Sequence, residues 1–199
     1  MECPCPPSGA ERINSFALVC YLPGALGAFL DGLRAELVTT CSARSHVTIL
    51  PPRQLVLPSS GQTDAPELQA RQQMSLRIPE YSPFRIDLGN VEVFPGTKVI
   101  YLDLTTGNGH LHELHDSLNV GALSFAEPFV YHPHVTLAQG LLPENVNEAC
   151  VLASARWREF QHSTSFQVES LTFVQNTSTD HWLDLAEYEL GTVVAAARR

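Results

Sequence analysis

Two His-x-Thr triplets, His46-Val47-Thr48 and His134-Val135-Thr136, stand in separate halves of the chain, and each runs on into apolar residues, Ile49-Leu50 and Leu137. In an extended strand successive side chains point to opposite faces, so His46 shares a face with Thr48, and His134 with Thr136. Two such strands side by side present two imidazoles and two hydroxyls to one pocket and leave the intervening valines for a core. Imidazole titrates at about 6.5 when unperturbed, so near neutral pH one ring can take a proton while the other gives one. Splitting a phosphodiester needs those two acts on opposite sides of phosphorus: a base for the attacking oxygen and an acid for the leaving oxygen. Threonine hydroxyls can donate to the non-bridging oxygens as their charge redistributes. A bell-shaped pH profile is the expected signature, and the chemistry requires no metal.

The elements that must position these groups can be read from periodicity. Residues 1–14 are expected to form a disordered tail, followed by an apolar strand over 15–22 that ends at Pro23-Gly24. Leu26, Leu30, Leu33 and Leu37 recur at helical spacing, and the first His-x-Thr strand follows, stopped by Pro51 and Pro52. Residues 64–76 read as a helix with Asp64 as its cap and Pro66 in its first turn. A long hairpin is expected from 84–94 and 98–104 around the turn Pro95-Gly96. A helix over 109–118 then leads to the second His-x-Thr strand. Pro143 and Glu144 open a helix to about residue 160, and strands near 166–174 and 181–190 complete a domain spanning 15–190, with 191–199 as a C-terminal tail.

The chain has 199 residues, 44% of them hydrophobic, enough for one packed core. Its formal charge is −9, and Lys98 is its lone lysine. That balance excludes a protein that grips long duplex nucleic acid by its backbone, because such affinity comes from Lys and Arg displacing condensed counterions. A nucleotide or short RNA end remains compatible. No uninterrupted apolar run is long enough to cross a membrane, and the acidic, proline-rich N-terminus is unlike a signal peptide, so a cytoplasmic monomer is expected. The five cysteines, an odd and scattered set, read as free thiols rather than a disulfide framework.

Further candidates surround the motifs. His132 lies two residues before His134 and so shares its face. Tyr131, with Phe84 or Phe94, can stack on a base, and Arg53 can approach a phosphate from the end of the first motif. The run His110-Leu111-His112-Glu113-Leu114-His115-Asp116 looks metal-like, but a zinc helix needs histidines four apart and His112 and His115 are three apart. It reads as an exposed helix face.

His46-Val47-Thr48-Ile49-Leu50-Pro51-Pro52-Arg53, then Pro83-Phe84-Arg85-Ile86 leading to Val93-Phe94-Pro95-Gly96, the helix Leu111-His112-Glu113-Leu114-His115, and Tyr131-His132-Pro133-His134-Val135-Thr136-Leu137-Ala138 together resemble the 2H phosphoesterases. The resemblance is especially to bacterial members similar to 2'-5' RNA ligase or RNA 2',3'-cyclic phosphodiesterase, and it spans most of the chain. It implies a bilobed α+β fold in which two mostly antiparallel sheets with outer helices are related by a pseudo-twofold around a central cleft. It also implies metal-independent phosphodiester chemistry with no cofactor. On a 2',3'-cyclic phosphate His134 is expected to activate water and His46 to protonate the departing 3' oxygen, giving a 2'-phosphate. On a 2'-5' linkage or a cyclic oligonucleotide the roles can exchange, and a noncatalytic nucleotide-binding protein is the third alternative. No Gly-rich phosphate loop with lysine is present, so any ligase activity would be transesterification run backwards. Many RNA-directed relatives carry a basic residue just after the second motif, where Ala138-Gln139 stands here, so weak RNA binding is expected.

Overall fold

The first strand, β1 (Arg12–Tyr21), is buried on both faces over its apolar run from Phe16 to Cys20, as expected inside a sheet covered on both sides. Phe16, Leu18 and Cys20 enter the main core beneath the helices, whereas Ala17 and Val19 pack with Val174, Tyr21 and Trp182 on the opposite face. Helix α1 (Gly24–Leu37) lays Leu26, Leu30 and Leu33 on the main core. Gly27 permits this close return: a Cβ there would lie 2.2 Å from the carbonyl oxygen of Leu22. The chain continues through β2 (His46–Arg53), α2 (Pro66–Arg77), β3 (Phe84–Val93), β4 (Ile100–Thr106), α3 (Asn108–Leu118), β5 (Val135–Ala138), α4 (Val146–Glu159), β6 (Ser165–Val168), β7 (Ser170–Thr177) and β8 (Trp182–Glu189). The structure, a computed structural model, describes residues 10–39, 44–55 and 66–191.

The strands run in the order β6-β3-β4-β5-β2-β1-β7-β8, every neighbouring pair antiparallel. The two expected sheets are therefore the halves of one eight-stranded sheet, joined where β2 meets β5 through the paired Val47 and Val135. The halves repeat the same unit, β1-α1-β2 in one and β4-α3-β5 in the other, which is the expected pseudo-twofold of an α+β fold.

Several boundaries differ from the periodicity reading. The chain is already a strand at Arg12, because Arg12 pairs with Thr177 and the Ser178 amide donates to the Glu11 carbonyl at 2.8 Å, so the expected tail to residue 14 is too long. Pro51 and Pro52 do not end β2. A bulge in β2, which spends three residues from Leu50 to Arg53 against two from Leu18 to Phe16 on β1, lets the pairing resume at Arg53. The strand expected over 166–174 is two strands split at Glu169: β6 joins β3 in one half and β7 joins β1 in the other. The helix expected from Pro143 begins at Val146, after a short 3-10 turn. Asp64, the expected cap of α2, lies outside the described residues, as do Cys3, Cys5 and Cys41. Cys20 and Cys150 are free thiols, and burial pushes the Cys20 thiol up to about 12.

Candidate active site

Both motifs stand where the two halves of the sheet meet. Because Val47 pairs with Val135 in an antiparallel register, His46 falls across from Thr136 and Thr48 across from His134. The two histidines are then diagonal neighbours, about 7–8 Å apart at the backbone, a span that admits a phosphate between the rings. The valines and Ile49 face the main core, and His46, Thr48, His134 and Thr136 line a cleft of about 750 Å³ on the other face.

The two imidazoles are held in the same way. His46 Nδ1 lies 2.7 Å from the carbonyl oxygen of Arg44, and His134 Nδ1 lies 2.7 Å from that of His132. A carbonyl only accepts, so each Nδ1 carries the hydrogen and each Nε2 remains for chemistry in the cleft. Loss of water lowers both pKa values. His46 is pushed down to about 4, burial outweighing the Arg44 carbonyl; the charges of Arg34 and His134 add to the lowering and Asp31 opposes it. Burial also lowers His134, against its bond to the His132 carbonyl, with His132 lowering it further. With the cleft empty at neutral pH, both rings are neutral, and a bound phosphate anion supplies the charge that lets one accept a proton.

The secondary candidates divide. His132 reaches the cleft, half-exposed, with Nε2 3.7 Å from Asp103 Oδ1. Phe94 forms a wall beside it, stacked on Tyr101 at 4.0 Å and edge-on to His134 at 5.0 Å. Phe84 does not line the cleft: it is buried and packs on His110. Tyr131 borders the cleft but its hydroxyl is committed, donating to the Thr48 carbonyl at 2.8 Å and so tying the approach to the second motif to the first strand. Arg53 is not available to a phosphate. It is buried at 3% exposure and donates to Pro51, Asn119, Leu123 and Glu127.

Other residues went unrecognised in the sequence. His115 was expected on an exposed face but is buried: its Nε2 is 2.9 Å from Glu127 Oε1, and its ring stacks under Tyr131 at 4.0 Å. Amphipathic spacing offered a signal, since His115 stands four residues after Leu111 and three before Leu118, on the buried stripe of the helix. Tyr21, Arg44 and Asp184 meet at the other end of the cleft. Tyr21 Oη donates to Asp184 Oδ1 at 2.6 Å, Arg44 Nη1 lies 3.3 Å from Asp184 Oδ2, and the Arg44 guanidinium covers the Tyr21 ring at 3.6 Å. Tyr21 pairs with His46 across β1 and β2, so the two share the cleft face. Among the described residues no three His, Cys, Asp or Glu side chains form a metal-ligating group, and no helix is long and apolar enough to cross a membrane.

Comparison with known proteins gives the family and the fold. The sequence profile of the 2'-5' RNA ligase superfamily matches residues 28–180. A crystal structure of a phosphoesterase superposes with a TM-score of 0.59 at 17% identity, covering 92% of this chain and 99% of the other. E. coli LigT in its apo form gives 0.58 at 20% identity over 93% of this chain and 100% of that one. The complex of LigT with 3'-AMP gives 0.57 at 16% identity, over 91% and 98%. No curated protein sequence matches. The profile covers most of the chain, including both His-x-Thr strands and every helix except the first residues of α1, and the chain therefore belongs to the 2'-5' RNA ligase superfamily, a superfamily of 2H phosphoesterases.

Proposed function

We propose that this chain is a metal-independent phosphodiesterase that opens 2',3'-cyclic phosphates of nucleotides or RNA ends to 2'-phosphates by two-histidine acid-base catalysis. The observation that carries the reading is the matched tautomer of His46 and His134, each with Nδ1 held by a main-chain carbonyl two residues upstream and Nε2 left to one cleft. His134 Nε2 removes a proton from water as its oxygen attacks phosphorus, and protonated His46 donates from Nε2 to the departing 3' oxygen. Thr48 and Thr136 donate to the non-bridging oxygens. The proton balance closes when water returns the rings to their starting states. The 3'-AMP held by E. coli LigT supports a nucleotide as the ligand class. Aromatic walls on both sides, Phe94 by His134 and Tyr21 with Trp182 by His46, favour a 2'-5' phosphodiester as the second reading.

Hydrolysis of the four 2',3'-cyclic mononucleotides, a 2'-5' dinucleotide and cyclic dinucleotides, with EDTA present, tests the reading. The expected product is the 2'-phosphate. A 3'-phosphate product would reverse the roles of the two histidines, and turnover confined to the dinucleotides would establish the second reading.

The pH profile supplies an independent prediction. One histidine must be neutral and the other protonated, so kcat/KM rises as pH climbs through the lower free-enzyme pKa and falls as it climbs through the higher. With His46 at about 4 and His134 also lowered, the maximum lies on the acid side of neutrality, and because the acid His46 is the ring pushed down to about 4, the productive pair is a minor form of the free enzyme that bound phosphate favours. In kcat the alkaline limb moves to higher pH, because bound phosphate stabilises the imidazolium. A kcat/KM still rising above pH about 8 would contradict the depressed pair.

A further inference from the structure

The cations around the cleft are few and already matched. Among the described residues that line it, Arg34 and Arg44 are the cations and Glu127, Asp180 and Asp184 the anions. Arg34 is buried on α1 and donates to the Arg44 carbonyl at 3.4 Å. Arg44 is held between the Tyr21 ring and Asp184. Glu127 faces Arg53 on the inner side, and Asp180 accepts from Asn176 Nδ2 at 2.9 Å. Lys98 sits in the turn that borders the cleft but is exposed and does not line it. Outside the described residues, segments 1–9, 40–43 and 56–65 contain no Lys or Arg, and 192–199 contains Arg198 and Arg199.

We propose that the cleft selects substrates whose scissile phosphate is their lone phosphate, flanked by uncharged groups, and that the cluster of Tyr21, Arg44 and Asp184 enforces the selection. The inference rests on the two-histidine phosphodiesterase reading of the same cleft and narrows its substrate class to small nucleotides rather than RNA ends. A second phosphate brings further negative charge to a surface where the exposed arginine already faces a carboxylate and Asp180 and Asp184 repel it. An uncharged nucleoside instead meets apolar and aromatic surface: Phe94 on one flank, and Tyr21, Trp182, Val19 and Val174 on the other. Neutral flanks lose little by leaving water there, whereas an unpaired phosphate loses much. The scissile phosphate is exempt, because the histidines and threonines meet it.

Binding of adenosine 2'-phosphate and of adenosine 2',5'-bisphosphate, measured by calorimetry, tests the selection without requiring turnover. The bisphosphate is expected to bind about threefold to tenfold more weakly. Asp184→Asn keeps an oxygen for the Tyr21 hydroxyl and removes one negative charge, so it should narrow that ratio, and Arg44→Gln should widen it. Tighter binding of the bisphosphate by the parent chain, or a ratio unmoved by both variants, would overturn the proposal. A second arm compares kcat/KM for 2',3'-cyclic AMP with that for a short RNA ending in a cyclic phosphate. The mononucleotide should be preferred, with a salt slope of about one phosphate contact or fewer. Preferred turnover of the RNA with a steep salt slope would overturn the selection and leave the reaction standing. Silence on every cyclic phosphate would remove the reaction, and the binding ratio would still decide the selection.

Discussion

Replacing His46 or His134 with alanine is expected to lower kcat on a 2',3'-cyclic nucleotide by about 10²- to 10⁴-fold in either case. The symmetry of the two sites makes the losses comparable: each ring has the same hydrogen-bonded tautomer, on the same face of adjoining strands. The losses should not multiply. Base and acid act in one displacement, so the double variant should fall within about tenfold of the weaker single variant. Folding should be little affected, because both rings are partly exposed at the cleft and each makes one hydrogen bond to the main chain. Affinity for adenosine 2'-phosphate should fall far less than turnover, since Thr48, Thr136, the other histidine and the aromatic walls remain. Retention of more than about a tenth of the parent rate by either single variant would remove that histidine from the proton-transfer step. Loss of binding in parallel with turnover would instead support the noncatalytic reading of the cleft.

The parts of this site visible in the sequence are those with local periodicity. Alternation alone puts His46 with Thr48 and His134 with Thr136, and the pairing of Val47 with Val135 turns that parity into one shared face. The leucines of α1 and the turn Pro95-Gly96 were equally legible, because each is encoded within a few residues. Arg53 was misjudged, and the tie made by the Tyr131 hydroxyl was missed, because their partners are far away along the chain. Nothing near Arg53 indicates that its guanidinium turns inward to Asn119, Leu123 and Glu127, nor anything near Tyr131 that its hydroxyl meets Thr48. The Tyr21, Arg44 and Asp184 cluster was hidden for the same reason. It draws on β1, the segment before β2, and β8, and becomes visible when β7 pairs with β1 and carries β8 beside it. Phe84 and Phe94 bracket the same strand, β3. Phe84 is buried against α3, whereas Phe94, just beyond the strand's end, belongs to the turn that opens on the cleft.

The largest loss of stability is expected from Arg53→Ala, about 3–5 kcal/mol, as when one partner of a buried ion pair is removed. The side chains of Arg53 and Glu127 are 1% and 10% exposed, and Nη2 donates to Oε1 at 2.6 Å. Desolvation lowers the guanidinium pKa, and the Glu127 charge opposes it, which is the balance of a cation out of water beside its counterion. Without Arg53, the Glu127 carboxylate retains His115 Nε2 but no buried guanidinium, and the Leu123 carbonyl and Asn119 Oδ1 each lose a donor. These groups hold the loop that runs from α3 to the second motif. Asn119 also accepts from the Phe125 amide, and Tyr131 beyond the loop stacks on His115 and bonds β2. The same substitution should therefore lower kcat/KM on protein still folded, by letting His134 drift relative to His46, although Arg53 never touches substrate. Arg53→Met combined with Glu127→Leu should cost less than Arg53→Ala, because it leaves no unpaired carboxylate in the interior. Urea denaturation of the three proteins, followed by kinetics below the transition, separates the two effects. A loss under about 1 kcal/mol for Arg53→Ala would mean that water replaces the guanidinium, and that the loop is held by Tyr131 and Asn119 instead.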